Sequence, residues 1–146
     1  MKKLMVILMT AAAGLSLSGC QNAEESKASV QVKPVEMASV EGSLYYLERM
    51  ALPDNAYVTV TLQDISLADA PAVLITSQEF ETNGNQVPFY FKLDYDKAKI
   101  LPHHTYSVSA RIEVGGELRY ITDTVFPVIT DESKTHKLDL MLVRTR

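Results

Sequence analysis

The body of the chain alternates apolar and polar residues with a period of two in one segment after another, the signature of β-strands half buried in a sheet. In Tyr57-Val58-Thr59-Val60-Thr61-Leu62-Gln63, the side chains of Val58, Val60 and Leu62 point one way and those of Tyr57, Thr59, Thr61 and Gln63 the other. Thr105 to Val114 repeats the pattern: Tyr106, Val108, Ala110, Ile112 and Val114 oppose Ser107, Ser109, Arg111 and Glu113. Late in the chain, Leu138, Leu140 and Leu142 oppose Lys137, Asp139 and Met141. Shorter segments at Val40 to Leu47, Val73 to Phe80, Phe89 to Leu93 and Leu118 to Thr122 bring the expected total to about seven strands. Each has one core face and one wet face, as antiparallel sheets commonly do.

Turn chemistry divides the chain at the same places. Val114-Gly115-Gly116-Glu117 reads as a tight hairpin, and Asn83-Gly84-Asn85 supplies residues that tolerate positive φ. Pro53, Pro71, Pro88, Pro102 and Pro127 fall outside the periodic cores of these segments, where a missing N–H would break a ladder. Asp94 to Leu101 is expected to form a helical turn with Asp94 as N-cap, too short to stand as an independent helix. Evenly spaced strands with so little helix predict an all-β fold, an antiparallel β-sandwich.

The N-terminus follows another rule. Lys2 and Lys3 precede an uncharged run from Leu4 to Leu17, and the polar Gln21-Asn22-Ala23-Glu24-Glu25 follows. The run is shorter than the ~20 apolar residues of a membrane span and contains Thr10, Gly14 and Ser16, so it reads as a cleaved export signal. Its end, Leu17-Ser18-Gly19-Cys20, resembles the lipobox of bacterial lipoproteins. The resemblance implies that Leu17, Ser18 and Gly19 are recognised by the lipoprotein signal peptidase and that Cys20 becomes the lipidated first residue of the mature chain. Burial of acyl chains at ~0.8 kcal/mol per CH₂ then makes membrane attachment nearly irreversible. Gln21 stands where aspartate would favour inner-membrane retention, so the expected location is the periplasmic face of the outer membrane. The expected organisation is a signal peptide at 1–19, a lipidated cysteine and flexible tether at 20–38, and a folded domain at 39–146. The tether is polar, small and interrupted by Pro34, with an r.m.s. reach of about 20–25 Å.

Composition narrows the function. The chain has 146 residues, 47% of them hydrophobic, which suits one ordinary domain plus appendages. Removing Lys2 and Lys3 with the leader leaves 12 of the 14 basic residues against 18 acidic ones, and the formal charge moves from −4 to −6. Nucleic acid is therefore not an expected partner, because phosphate binding relies on clustered Lys and Arg. Cys20 is the only cysteine, which leaves no partner for a disulfide within the chain. No cofactor is expected beyond the covalent lipid.

Candidate chemistry is sparse. His103-His104 is the obvious metal reading, but adjacent side chains on an extended segment point apart and no cysteine assists them, so no metal site is expected. His136 reads as a polar residue at a strand start. The chain has no Gly-x-Ser-x-Gly elbow and no phosphate-cradling glycine loop. The pairs Asp94/Asp96 and Glu79/Glu81 share a strand face, which raises an envelope glycan hydrolase as an alternative. Acidic residues on wet faces more often discourage aggregation, and the protein is not expected to be an enzyme. The more specific feature is aromatic. With Val58, Phe89, Phe91 and Leu44 facing inward, Tyr57, Tyr90 and Tyr45 face outward and are candidates for a recognition face for an envelope protein or a glycan.

Three segments then carry a family resemblance: Ala51-Leu52-Pro53-Asp54 through Leu62 to Ser66-Leu67-Ala68-Asp69-Ala70-Pro71; Pro88-Phe89 through Asp96; and Ile121-Thr122-Asp123-Thr124 through Pro127-Val128. They resemble the YbaY family of lipoproteins, in the superfamily of YscW-type lipoprotein chaperones, or pilotins, of type III secretion. The resemblance covers about residues 38 to 143. It implies a lipid-anchored envelope protein that acts by binding, in a chaperone-like manner, and it implies a secretin subunit as partner if the pilotin branch applies. It transfers no individual functional residue.

Overall fold

Nine strands form among residues 33–146, the part of the chain that the computed structural model describes. They are β1 (Met37–Tyr45), β2 (Ala56–Asp64), β3 (Val73–Glu81), β4 (Phe89–Asp96), β5 (Tyr106–Val114), β6 (Glu117–Ile121), β7 (Phe126–Val128), β8 (Lys137–Met141) and β9 (Val143–Arg144). A three-stranded sheet in the order β4-β1-β8 packs on a six-stranded sheet in the order β3-β2-β5-β6-β9, where β7 pairs with β5. The all-β sandwich matches the expected class, with two strands more than the periodic pattern marks. Both extra strands, β7 and β9, are too short to show a period. Pro127 sits inside β7, which pairs only with β5 among the described strands, so its missing N–H need not break a second ladder.

Alternation sorts the faces as it should. Val58, Val60 and Leu62 from β2, Tyr106, Val108 and Ile112 from β5, Val40 and Leu44 from β1, Phe89, Phe91 and Leu93 from β4, and Leu140 from β8 are all buried in one core between the sheets. Fully burying a side chain of this size is worth about 1.5–3 kcal/mol, so the inner faces hold the sheets together. The hairpin between β5 and β6 turns on Gly115 and Gly116 at φ of 59° and 81°, as a two-residue turn with positive φ at both positions requires.

Two features depart from the sequence expectation. The pairing of β1 with β8 is parallel, from Glu41↔Lys137 to Tyr45↔Met141, in an otherwise antiparallel set. The last segment then changes sheets: Leu142, buried, separates β8 in the small sheet from β9, which pairs with β6 in the large one. The helical turn expected over Asp94 to Leu101 is a single 3-10 turn at Lys97–Lys99, and its cap is Asp96, whose carboxylate accepts from the Ala98 amide at 2.8 Å. Asp94 stays on β4, opposite Ser39, because ladder pairing continues three residues farther than the apolar pattern suggests. Met37 and Ala38, assigned to the tether on composition, already pair with Asp96 and Tyr95.

Candidate functional site

The outer face of the six-stranded sheet carries an open depression. Thr59 points away from the core on β2, yet it is only 4% exposed, because its neighbours rise around it. Across the sheet, Thr59 lies between Glu79 of β3 and Arg111 of β5, and Arg111 is followed by Ile121 of β6. One step along the strands, Thr61 lies between Ser77 and Ser109. The Thr61 and Ser109 hydroxyls hydrogen-bond each other at 2.8 Å. Leu74 and Gln63 close the next step, where β3 carries a bulge opposite Leu62/Gln63. That bulge places Ile75 against the core and leaves Leu74 on the outer side. Together these residues line an open trough of about 430 Å³.

The trough is built for hydrogen bonding. Its floor is a row of hydroxyls, its rims carry opposite charges, and Leu74 and Ile121 add apolar wall. The Arg111 guanidinium is half exposed, and the Glu113 carboxylate lies 3.9 Å away, at the outer limit of an ion pair. Most of its donor capacity is therefore open to a ligand. Tyr57 stands at one end with its hydroxyl donating to Glu79 at 3.2 Å. That bond, ahead of slight burial and the charges of Glu79 and Glu81, raises the phenol above its ordinary range, so Tyr57 stays a neutral donor.

The three tyrosines expected to form one face belong to two. Tyr57, 37% exposed, lies on the outer side of the six-stranded sheet, whereas Tyr90, 76% exposed, and Tyr45, half-buried, lie on the outer side of the three-stranded sheet. Period-two alternation tells which residues turn outward but not which sheet carries them. The pairs Asp94/Asp96 and Glu79/Glu81 are likewise on different sheets. Leu17, Ser18, Gly19 and Cys20 lie outside the described residues.

The structure also joins residues that the sequence leaves apart. The His104 ring nitrogen Nδ1 lies 2.6 Å from Asp64 Oδ2, forty positions away. Asp64 Oδ1 accepts from the amide and the hydroxyl of Ser66, and the Ser66 oxygen accepts from the Thr105 amide at 2.9 Å. The order is not that of a nucleophilic triad, because the Ser66 hydroxyl donates to the aspartate rather than to the histidine. The cluster pins the β2–β3 connection to the β4–β5 connection. Among the described residues no three His, Cys, Asp or Glu side chains converge as a metal site would need.

Hydrogen bonds from Ser66, followed by that from His104, hold the Asp64 carboxyl down to about 2. A carboxylate depressed in the folded state stabilises the fold above its ordinary pKa and loses that contribution as pH falls toward about 2. Asp64→Asn is therefore expected to lower the unfolding free energy by about 1–2 kcal/mol near neutrality, with the deficit shrinking toward the acid end. Urea titrations near neutrality and at about pH 3, below the ordinary carboxylate pKa, measure it. An equal deficit at both would remove the carboxylate charge from the explanation.

With this geometry in hand, three likenesses bear on the chain. A family model described as type III secretion system lipoprotein chaperone (YscW) matches residues 35–141. The uncharacterized lipoprotein YbaY of Escherichia coli (strain K12) is 39% identical over 121 residues, 83% of this chain and 63% of that protein. The chain thus spans less than two thirds of that relative's length. A solved structure described as an alternative pilotin from the type II secretion system of Vibrio cholerae is 58% identical, with a TM-score of 0.74, over 76% of this chain and 99% of that one. Together they place the chain: it belongs to the YbaY/YscW-type lipoprotein family.

Proposed function

We propose that the protein is a pilotin-type chaperone: anchored through lipid on Cys20 at the periplasmic face of the outer membrane, it captures a short segment of a secretin subunit in the trough and acts by binding rather than turnover. The observation that carries this reading is the 58% identity to a protein described as a pilotin, spanning 99% of that chain. The trough supplies the chemistry. Arg111 presents guanidinium donors to carbonyls or a carboxylate of the captured segment, the Thr61/Ser109 pair and Glu79 take its donors, and Leu74 and Ile121 cover its apolar side chains. Of the three outward tyrosines, Tyr57 is the one placed to contact the bound segment. The leader at 1–19 and the tether from Cys20 onward deliver the domain to the membrane, and the folded body from 39 onward does the capturing.

A photoreactive side chain introduced at Ser109 tests this in intact cells. Secretin peptides are expected in the cross-linked product, and Arg111→Glu is expected to reduce their yield by about tenfold, roughly 1.4 kcal/mol of binding, with the melting temperature barely changed. Cross-links to other envelope proteins alone, with no secretin peptide, would overturn the pilotin reading.

A further inference from the structure

The end of the sandwich where the described chain begins carries apolar side chains that the core does not use. At the start of β1, Met37 pairs with Asp96, so Val35 and Met37 sit beside the end of β4. Leu101 follows the 3-10 turn, and its amide donates to the Tyr106 hydroxyl at 2.9 Å. Tyr106 pairs with Asp64, and Asp64 pairs with Val73, so the β2–β3 connection with Leu67 lies at this same end. Val35, Met37, Leu67 and Val73 are each more than half exposed, and Leu101 is 49% exposed. Beside them, Ala38, Tyr95, Ile100 and Ile129, with Lys97 and His136, line an open and largely apolar hollow of about 440 Å³. Lys33 and Lys99, both exposed, add cationic heads on long alkyl stems from the same two segments, whereas the Lys97 ammonium is already paired with Glu36.

We propose that this end is a membrane-contact surface, seated at the boundary between headgroups and acyl chains of the leaflet that holds the anchor. The inference rests on the anchored reading above. Cys20 precedes Lys33 by thirteen residues, which fully extended span at most about 45 Å. Anchoring therefore keeps Lys33 within about 45 Å of the bilayer, and the end of the sandwich that Lys33 enters is the one presenting aliphatic side chains from separate segments. Aliphatic residues interspersed with lysines suit that boundary, where the stems lie in the apolar layer and the ammonium groups reach the phosphates. The trough runs along the outer face of a sheet and borders this end only at Gln63 and Leu74, so its Thr59 and Arg111 region stays open to the ligand.

The test uses the full chain purified from membranes and reconstituted in vesicles of phosphatidylethanolamine and phosphatidylglycerol, a fraction of the lipid bearing an acyl-chain nitroxide. Single variants Leu67→Cys, Leu101→Cys and Leu47→Cys carry a bimane label, the last reporting from the opposite end, where Leu47 is also exposed. Quenching at Leu67 and Leu101 is expected to exceed that at Leu47 by at least about threefold. Equal quenching at all three sites, or none in protein that floats with the vesicles, overturns the contact and leaves the anchor intact. Protein that fails to float overturns both, and an intact-mass measurement showing a bare Cys20 thiol then identifies the anchor as the part that failed.

Discussion

Gly42→Ala is expected to detach β8 from β1 and to cost about 4 kcal/mol of stability, a fall in melting temperature on the order of 15 °C for a domain of this size. Gly42 lies in the middle of β1, between Phe91 of β4 and Leu138 of β8. A Cβ there would stand 1.7 Å from the Leu138 carbonyl oxygen, 2.9 Å from its carbonyl carbon and 3.2 Å from the tip of the Phe91 ring. The first two atoms are backbone and cannot swing aside as a side-chain end would. β8 must therefore move away, which breaks the parallel ladder and withdraws Leu140 and Leu142, both buried, from the core. Gly115→Ala is the control. Gly115 has φ of 59° but nothing within 4 Å of its Cβ position, so that substitution costs only backbone strain, about 1 kcal/mol. Thermal melts of the two variants separate close approach from conformational freedom, and Gly42→Ala matching Gly115→Ala would refute the account of the β1–β8 contact.

Cys20→Ala is expected to empty the outer-membrane fraction of the protein without altering the folded domain. On the anchoring proposed above, each acyl CH₂ removed from the bilayer forfeits ~0.8 kcal/mol, so losing the acylated thiol withdraws most of the membrane-binding free energy. Among the described residues the first strand begins at Met37, well after position 20, so the melting temperature of the domain should stay where it was. Membrane fractionation with intact-mass measurement checks both halves. Recovery of Cys20→Ala in the outer membrane at the level of the unaltered chain would show that something other than lipid holds it there. The secretin cross-link at Ser109 should fade in the same variant in step with the loss from the outer membrane, since a soluble escort no longer shares a surface with its ligand.

Much of the fold is legible because burial imposes period two on a strand with one wet face. Val58/Val60/Leu62 and Phe89/Phe91/Leu93 disclose their inner faces without any knowledge of their neighbours. β7 and β9 are not legible, because two or three residues show no period, and Pro127 argues against a strand unless its edge is free. The candidate site was barely legible. Thr59, Thr61, Ser109 and Arg111 look like any wet strand face until β3 and β6 rise on either side of them. Asp64 and His104 gave one faint hint, the Asp-x-Ser spacing that favours a side-chain turn; their contact depends on two connections meeting at one end of the sandwich.

The amino-acid order alone determined the inward faces of β2, β4 and β5, the Gly115-Gly116 hairpin and the family resemblance, because each rests on residues close together in the chain. Only the tertiary structure decided that β1 lies parallel to β8 and that the outward tyrosines divide between two sheets. It alone also decided that four strands raise a trough around Thr59. The reason is that alternation fixes the face a side chain takes, whereas the neighbour across the ladder is chosen by packing among segments up to a hundred residues apart, about which no local pattern carries information.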